Sequence, residues 1–226
     1  MYAHRGASAD APENTVRAFA LAREQGADGV ELDVRRSADG DLVVHHDAAL
    51  ADGRVIVRTP TAELPGSVPS LAEALDACEG LVVNVEIKNS PFDPDHDLER
   101  TLADDVVALL RDRGGRDEVL VSSFDLATVD RVRALADVPT AFLTYIDPVG
   151  ADAVVLAADR GHVAIHPHEG TVDAAFVALA HGAGLAVNVW TVDDPDRIRA
   201  LADAGVDGIV TNVPAKAREA LRAARG

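Results

Sequence analysis

Cysteine is all but missing from this sequence of 226 residues. Cys78 stands alone, which excludes a disulfide framework and a zinc site built on thiolates. Positive charge is also short. Lysine and arginine total 21 against 38 aspartates and glutamates, a formal net charge of −17 at pH 7, and such a surface repels polyanions. Nucleic acid and anionic membranes are therefore not expected as partners. Lys88 and Lys216 are the two lysines, a scarcity that carries no functional reading by itself. No stretch approaches the roughly 18 consecutive apolar residues of a membrane span. Met1-Tyr2-Ala3-His4-Arg5-Gly6 lacks the charged-then-apolar pattern of a secretory leader. The expectation is a soluble, cytoplasmic protein with no stable membrane insertion. What the chain does have is 48% apolar residues, enough at this length to bury one large core. With no low-complexity linker, residues 1–226 are expected to form a single domain.

Short apolar runs alternate with stretches of helical period from end to end. Strand candidates fall at about 1–5, 28–34 with a companion at 41–46, 81–88, 118–124, 139–145, 162–166, 184–192 and 207–212. Helix candidates lie between them at 13–25, 70–79, 98–113, 126–136, 172–182, 194–203 and 214–224, with Asn14-Thr15 and Ser70 as caps and Gly26 as a stop. Strands too apolar for a solvated face, each followed by a helix, imply a parallel sheet covered by helices. About eight such units predict a (β/α)8 barrel of the TIM type, an α/β fold. The other parallel architecture, a doubly wound open sheet, lacks here the usual G-x-G-x-x-G after the first strand. An internal echo supports equivalent units: Gly26-Ala27-Asp28-Gly29-Val30 resembles Gly205-Val206-Asp207-Gly208-Ile209.

Side chains at i and i+2 of a strand share a face. In Val30-Glu31-Leu32-Asp33-Val34 both carboxylates point one way, and in Val82–Lys88 so do Asn84, Glu86 and Lys88. Inside a barrel, two like charges about 4 Å apart cost about 4 kcal/mol at an effective dielectric near 20. Something positive must balance them. Lys88 offsets one carboxylate, and Glu31, Asp33 and Glu86 supply the oxygen ligands a hard cation such as Mg²⁺ or Ca²⁺ takes. The competing account is a structural ion pair of Glu31 or Glu86 with Arg5 or Lys88 and no metal. Histidines at strand ends, His4 and the pair His45-His46, suit acid-base chemistry near neutral pH. His45 and His46 alternate, so one faces the site, with Asp47 able to orient its neighbour. Trp190, Asn188, Phe124 and the His166-Pro167-His168 stretch are secondary candidates at later strand ends, whereas His96, His162 and His181 read as packed or surface residues.

These strings form an ordered set: His4-Arg5-Gly6, Pro12-Glu13-Asn14-Thr15, Glu31-Leu32-Asp33-Val34, Val44-His45-His46-Asp47, Glu86-Ile87-Lys88, Val189-Trp190-Thr191-Val192 and Gly205–Thr211. From residue 3 to about 214 the set resembles the glycerophosphodiester phosphodiesterase family. The resemblance implies metal-dependent hydrolysis of glycerophosphodiesters to glycerol 3-phosphate and an alcohol. One Ca²⁺ or Mg²⁺ is implied at Glu31, Asp33 and Glu86, with His4 and His46 as general base and acid and Arg5 and Lys88 on the phosphate. Trp190 offers an apolar face for the glycerol backbone. Two departures stand out. Asn212 occupies a position that is commonly aspartate, which is expected to weaken a helper interaction, and residues 48–68 are short for a cap over the site. Lysophospholipase D-like hydrolysis of lipid phosphodiesters and a non-catalytic phosphate- or polyol-binding barrel remain the alternatives.

Overall fold

The structure, a computed structural model, describes residues 1–145 and 149–224. Nine strands run β1 (Tyr2–His4), β2 (Gly29–Arg36), β3 (Leu42–Val44), β4 (Val82–Ile87), β5 (Glu118–Ser123), β6 (Thr140–Thr144), β7 (Ala164–Pro167), β8 (Ala186–Val189) and β9 (Gly208–Thr211). All but β3 pair in parallel with their neighbours, and β1 pairs with both β2 and β9, which closes an eight-stranded barrel. Helices α1 (Val16–Glu24), α2 (Leu71–Ala77), α3 (Thr101–Asp112), α4 (Leu126–Leu135), α5 (Gly150–Asp159), α6 (Ala174–Gly182), α7 (Pro195–Asp203) and α8 (Pro214–Ala224) connect the strands. Among the described residues no helix is long and apolar enough to cross a membrane.

Alternation along β2 sorts its side chains. Val30, Leu32 and Val34 are fully buried in a cluster with Phe19 and Ala22 of α1 and Leu71 and Leu75 of α2. Each such side chain contributes roughly 1.5–3 kcal/mol by leaving water. Glu31, Asp33 and Arg35 take the opposite face. A second cluster joins Ile165, Val187 and Ile209 of the sheet to Phe176, Ile198 and Leu201 of the later helices. The echo between the two glycine turns holds: Gly26 has φ +77 and Gly205 φ +89, a region where only glycine sits without strain.

The structure corrects several sequence expectations. The companion at 41–46 is a strand only over Leu42–Val44, and it runs antiparallel to β2 outside the barrel, with Val34 opposite Val44. The first helix begins at Val16 because Thr15 alone is its cap, its Oγ1 accepting from the Ala18 N–H at 3.2 Å. Asn14 has φ 55 and turns toward the barrel. The helix expected from 98 begins at Thr101, since Asp97 Oδ2 accepts from the Leu102 N–H and the Thr101 hydroxyl at 3.0 and 2.9 Å and Arg100 adopts φ 56. The strand expected over 184–192 is continuous only over Ala186–Val189, with an isolated bridge from Trp190 to His168 beyond it. Beyond it the Trp190 indole N–H turns to the His166 carbonyl at 2.8 Å. Ser70 caps α2 as expected, in a reciprocal box with Glu73.

Candidate active site

Register brings the acidic residues together. Asp33 of β2 lies opposite Glu86 of β4, and Glu31 lies between Asn84 of β4 and His4 of β1. Glu31, Asp33 and Glu86 each offer a carboxylate oxygen within 4.8 Å of the other two, and all three are buried. Two cations answer them in part. Lys88 Nζ donates to Glu86 Oε1 at 2.7 Å and stands 3.4 Å from Asp33 Oδ1. Arg5 Nε is 3.3 Å from Asp33 Oδ2, while its NH1 forks onto both oxygens of Glu13 at 3.0 Å. Of the ion pairs expected from the sequence, Glu86–Lys88 forms, whereas Arg5 pairs with Asp33 and Glu13, and these contacts do not exhaust the oxygens. Glu31 Oε1 and Asp33 Oδ1 accept no hydrogen bond.

The carboxyl groups' shifted pKa values reflect the same imbalance. Burial, then the neighbouring Asp33 and Glu86, pushes the Glu31 carboxyl well above the ordinary range. Burial also raises Glu86, against the pull of Lys88. Burial works against Asp33 as well, but Lys88 and Arg5 outweigh it and hold its carboxyl down at about 2. Three acidic groups facing two cations are left with surplus negative potential, the setting in which a carboxylate takes up a proton or binds a divalent ion. The oxygen-only donor set and the two oxygens that accept no hydrogen bond fit a hard cation.

His4 Nδ1 lies 2.7 Å from Asn212 Oδ1, and Asn212 Nδ2 donates to Asp193 Oδ2 at 2.7 Å. With its amide nitrogen so committed, Asn212 presents oxygen to His4, which fixes the ring proton on Nδ1 and leaves Nε2 free, 3.9 Å from Glu31 Oε2. The asparagine makes this contact without the negative charge an aspartate would bring. Burial and the Arg5 charge lower the His4 pKa, so its neutral form is favoured. His46, not His45, lines the pocket with His4, Arg5, Glu31, Glu86, Lys88 and Trp190. Its Nδ1 lies 2.7 Å from Asp47 Oδ1, a bond that holds the Asp47 carboxyl below its usual value. The opposite wall is aromatic: the Trp190 ring centroid is 5.4 Å from Phe124, 5.7 Å from Tyr145 and 5.3 Å from His168. His166 lines the pocket too, whereas His168 belongs to the aromatic wall. His96 and His181 lie outside the pocket's lining, and His162 packs against Thr140.

Four residues at the site escaped the sequence reading. Asn14 Nδ2 donates to Asp33 Oδ2 at 2.8 Å. Arg35, 2% exposed, clamps the His46 carbonyl through Nε and NH2 at 2.9 and 2.7 Å and grips Asp95 and Asp93 with its remaining N–H groups. Asp193 supports Asn212, and Glu13 holds Arg5. Period-two alternation placed Arg35 on the Glu31–Asp33 face, the one signal that pointed to it. A second hollow adjoins the first past His46, Lys88 and Phe124 and is lined by Arg35, Asp47, Asn89, Ser90 and Asp93.

Known proteins share both fold and length with this chain. Its residues 4–216 match the profile of the glycerophosphoryl diester phosphodiesterase family. A glycerophosphodiester phosphodiesterase of Caldanaerobacter subterraneus is 29% identical over 236 residues, covering 94% of this chain and 93% of the relative. A phosphodiesterase of Oleispira antarctica, solved in complex with its product sn-glycerol-3-phosphate, is 28% identical with a TM-score of 0.88, covering 98% of this chain and 96% of the other. The Thermotoga maritima glycerophosphodiester phosphodiesterase is 28% identical with a TM-score of 0.80, at 95% and 94% coverage. With the profile matched almost from end to end and the same barrel in full-length relatives, this chain belongs to the glycerophosphoryl diester phosphodiesterase family.

Proposed function

We propose that this protein hydrolyses small glycerophosphodiesters to glycerol 3-phosphate and an alcohol. In this reading Glu31, Asp33 and Glu86 hold a divalent cation, Mg²⁺ or Ca²⁺, and His4 and His46 act as general base and acid. One observation carries it: buried carboxylates on two paired strands keep oxygens that accept no hydrogen bond, in a pocket flanked by both histidines.

A phosphodiester anion repels its nucleophile, and displacement loads charge on the equatorial oxygens while an alkoxide departs. When bound, the cation supplies positive charge to the phosphoryl oxygens. Arg5 and Lys88 add theirs from fixed positions, anchored by Glu13, Asp33 and Glu86, so little reorganisation accompanies the reaction. His4, its Nδ1 proton committed to Asn212, offers Nε2 to the proton of the nucleophile, either water or the neighbouring glycerol hydroxyl. His46, its Nδ1 held by Asp47, delivers a proton from Nε2 to the leaving oxygen. Trp190 flanks the glycerol carbons. The hollow past His46 is lined by Arg35, Asp47, Asn89 and Asp93 together with Ala48, Ile87 and Phe124, and its charged groups are what favour a short polar alcohol over an acyl chain in this reading.

The test is release of glycerol 3-phosphate from glycerophosphocholine, glycerophosphoethanolamine, glycerophosphoglycerol and a lysolipid, with and without a chelator. The expected result is turnover of the first three, abolished by chelation and restored by Mg²⁺ or Ca²⁺. Turnover that survives exhaustive chelation removes the cation from the reading. Ligand binding without turnover makes the barrel a binding module, and preference for the lysolipid makes it a lipid phosphodiesterase.

A further inference from the structure

Two polar side chains in the pocket take no part in the chemistry above and have an atom without a partner: Asn84 Oδ1 and His166 Nδ1. Both are buried, Asn84 to 2% exposure and His166 to 1%. Asn84 precedes Glu86 by two residues on β4, one layer further from the C-terminal mouth of the barrel. His166 belongs to β7, three strands further round.

The His166 ring is held at its other nitrogen. Asn188 Nδ2 lies 2.9 Å from Nε2, so the amide N–H donates there and the ring proton sits on Nδ1. The backbone is fixed as well, because the His166 carbonyl accepts the Trp190 indole N–H. Burial lowers the ring's pKa to about 3, which keeps it neutral near physiological pH. The pocket therefore holds an unused donor, His166 Nδ1–H, and the Asn84 amide, which makes no side-chain hydrogen bond and whose buried Oδ1 needs a donor. A hydroxyl both gives and takes a hydrogen bond and suits this pair, whereas a phosphate oxygen only accepts. The phosphate is already matched by Arg5 and Lys88.

We propose that His166 and Asn84 bind the terminal hydroxyl of the polyol half of the diester, so that the enzyme selects a glycerol unit over its deoxy counterpart, an inference that rests on the phosphodiesterase reading. A site built to pair a hydroxyl penalises an analogue without one, because its own buried groups are then left unpaired.

The experiment compares a glycerophosphodiester with the matching diester of propane-1,2-diol. The second substrate lacks the terminal hydroxyl but keeps the one beside the phosphate-bearing carbon and the same leaving alcohol. The wild-type enzyme should favour glycerol by about tenfold or more in kcat/KM. His166→Phe, which keeps the ring's shape without its N–H, should bring the two within about twofold of each other, through loss on the glycerol substrate alone. His166→Asn, whose amide reaches close to the Nδ1 position, should retain most of the preference. No preference in the wild type, or an unchanged one in His166→Phe, overturns the proposal. If His166→Phe does not fold, calorimetric binding of sn-glycerol 3-phosphate and propane-1,2-diol phosphate to the wild type and His166→Asn decides: equal affinities overturn it. The same pair decides if neither diester turns over, an outcome that sinks the phosphodiesterase reading while the hydroxyl contact is judged by affinity alone.

Discussion

β1, β2 and β4 bring ionic groups to the pocket, whereas the ends of β5 to β8 bring rings. On the first side His4, Arg5, Glu31, Asp33, Glu86 and Lys88 stand on adjacent strands, with ion pairs of 2.7 to 3.4 Å between them. On the other, Phe124, Tyr145, His168 and Trp190 each follow a different strand and meet edge to face or tilted at centroid distances of 5.0 to 5.7 Å. The difference follows from range. A buried charge is tolerable only with a partner in contact, which forces ionic residues onto neighbouring strands in matched register. An aromatic face needs area, and area can be assembled from separate loops.

The sharpest way to break the ionic side is Glu86→Gln. It removes an oxygen of the proposed cation site and the charged partner of Lys88, and kcat/KM should fall on the order of 10³-fold, with Mg²⁺ or Ca²⁺ binding weakened in a calorimetric titration. His4→Ala and His46→Ala should each lower kcat by about 10²-fold or more while the cation still binds. Retained turnover in either variant removes that histidine from its role. Arg35→Met tests the clamp on His46: kcat should drop about 10- to 100-fold with a smaller change in KM. It also leaves Asp95 buried without its partner, so denaturant unfolding should show a loss of about 3–5 kcal/mol.

On the ring-bearing side the effects are gentler. His166 has a folded pKa of about 3, below the value near 6.5 of an unfolded chain. Below pH 6.5 the unfolded chain binds a proton that the folded chain refuses. The stability present above pH 6.5 is therefore lost as pH falls toward 3, at up to about 1.4 kcal/mol per unit. His166→Phe should flatten that part of the stability curve; an unchanged curve contradicts it. Phe124→Ala should be mildest, raising KM by no more than about tenfold through the loss of roughly 0.5–1.5 kcal/mol of ring contact, with cation affinity untouched.

The ionic side was legible because strand alternation is local: Glu31 with Asp33, and Glu86 with Lys88, declare a shared face from residues two apart. The barrel was legible from repeated strand-helix units, and the choice between His45 and His46 was narrowed by the same alternation. What stayed hidden is held by partners far away in sequence. Arg35 reaches Asp93 and Asp95 at separations of 58 and 60 residues, and His4 reaches Asn212 across 208. No local pattern encodes such meetings. Helix starts moved by three residues where Thr15 and Asp97 side chains captured backbone N–H groups, a competition that apolar periodicity does not register.

The short antiparallel ribbon β3 carries the His45-His46 doublet on its exit, with the His45 N–H donating to the Asp33 carbonyl at 2.9 Å. Because successive side chains on such a ribbon face opposite ways, a slip of one residue along β2 would exchange the two imidazoles. The doublet makes this edge pairing self-reporting. On the proposed mechanism, an insertion or deletion in the turn at Asp39-Gly40 would move the proton donor's job from one histidine to the next, and the identity of the indispensable one would read out the alignment of the ribbon.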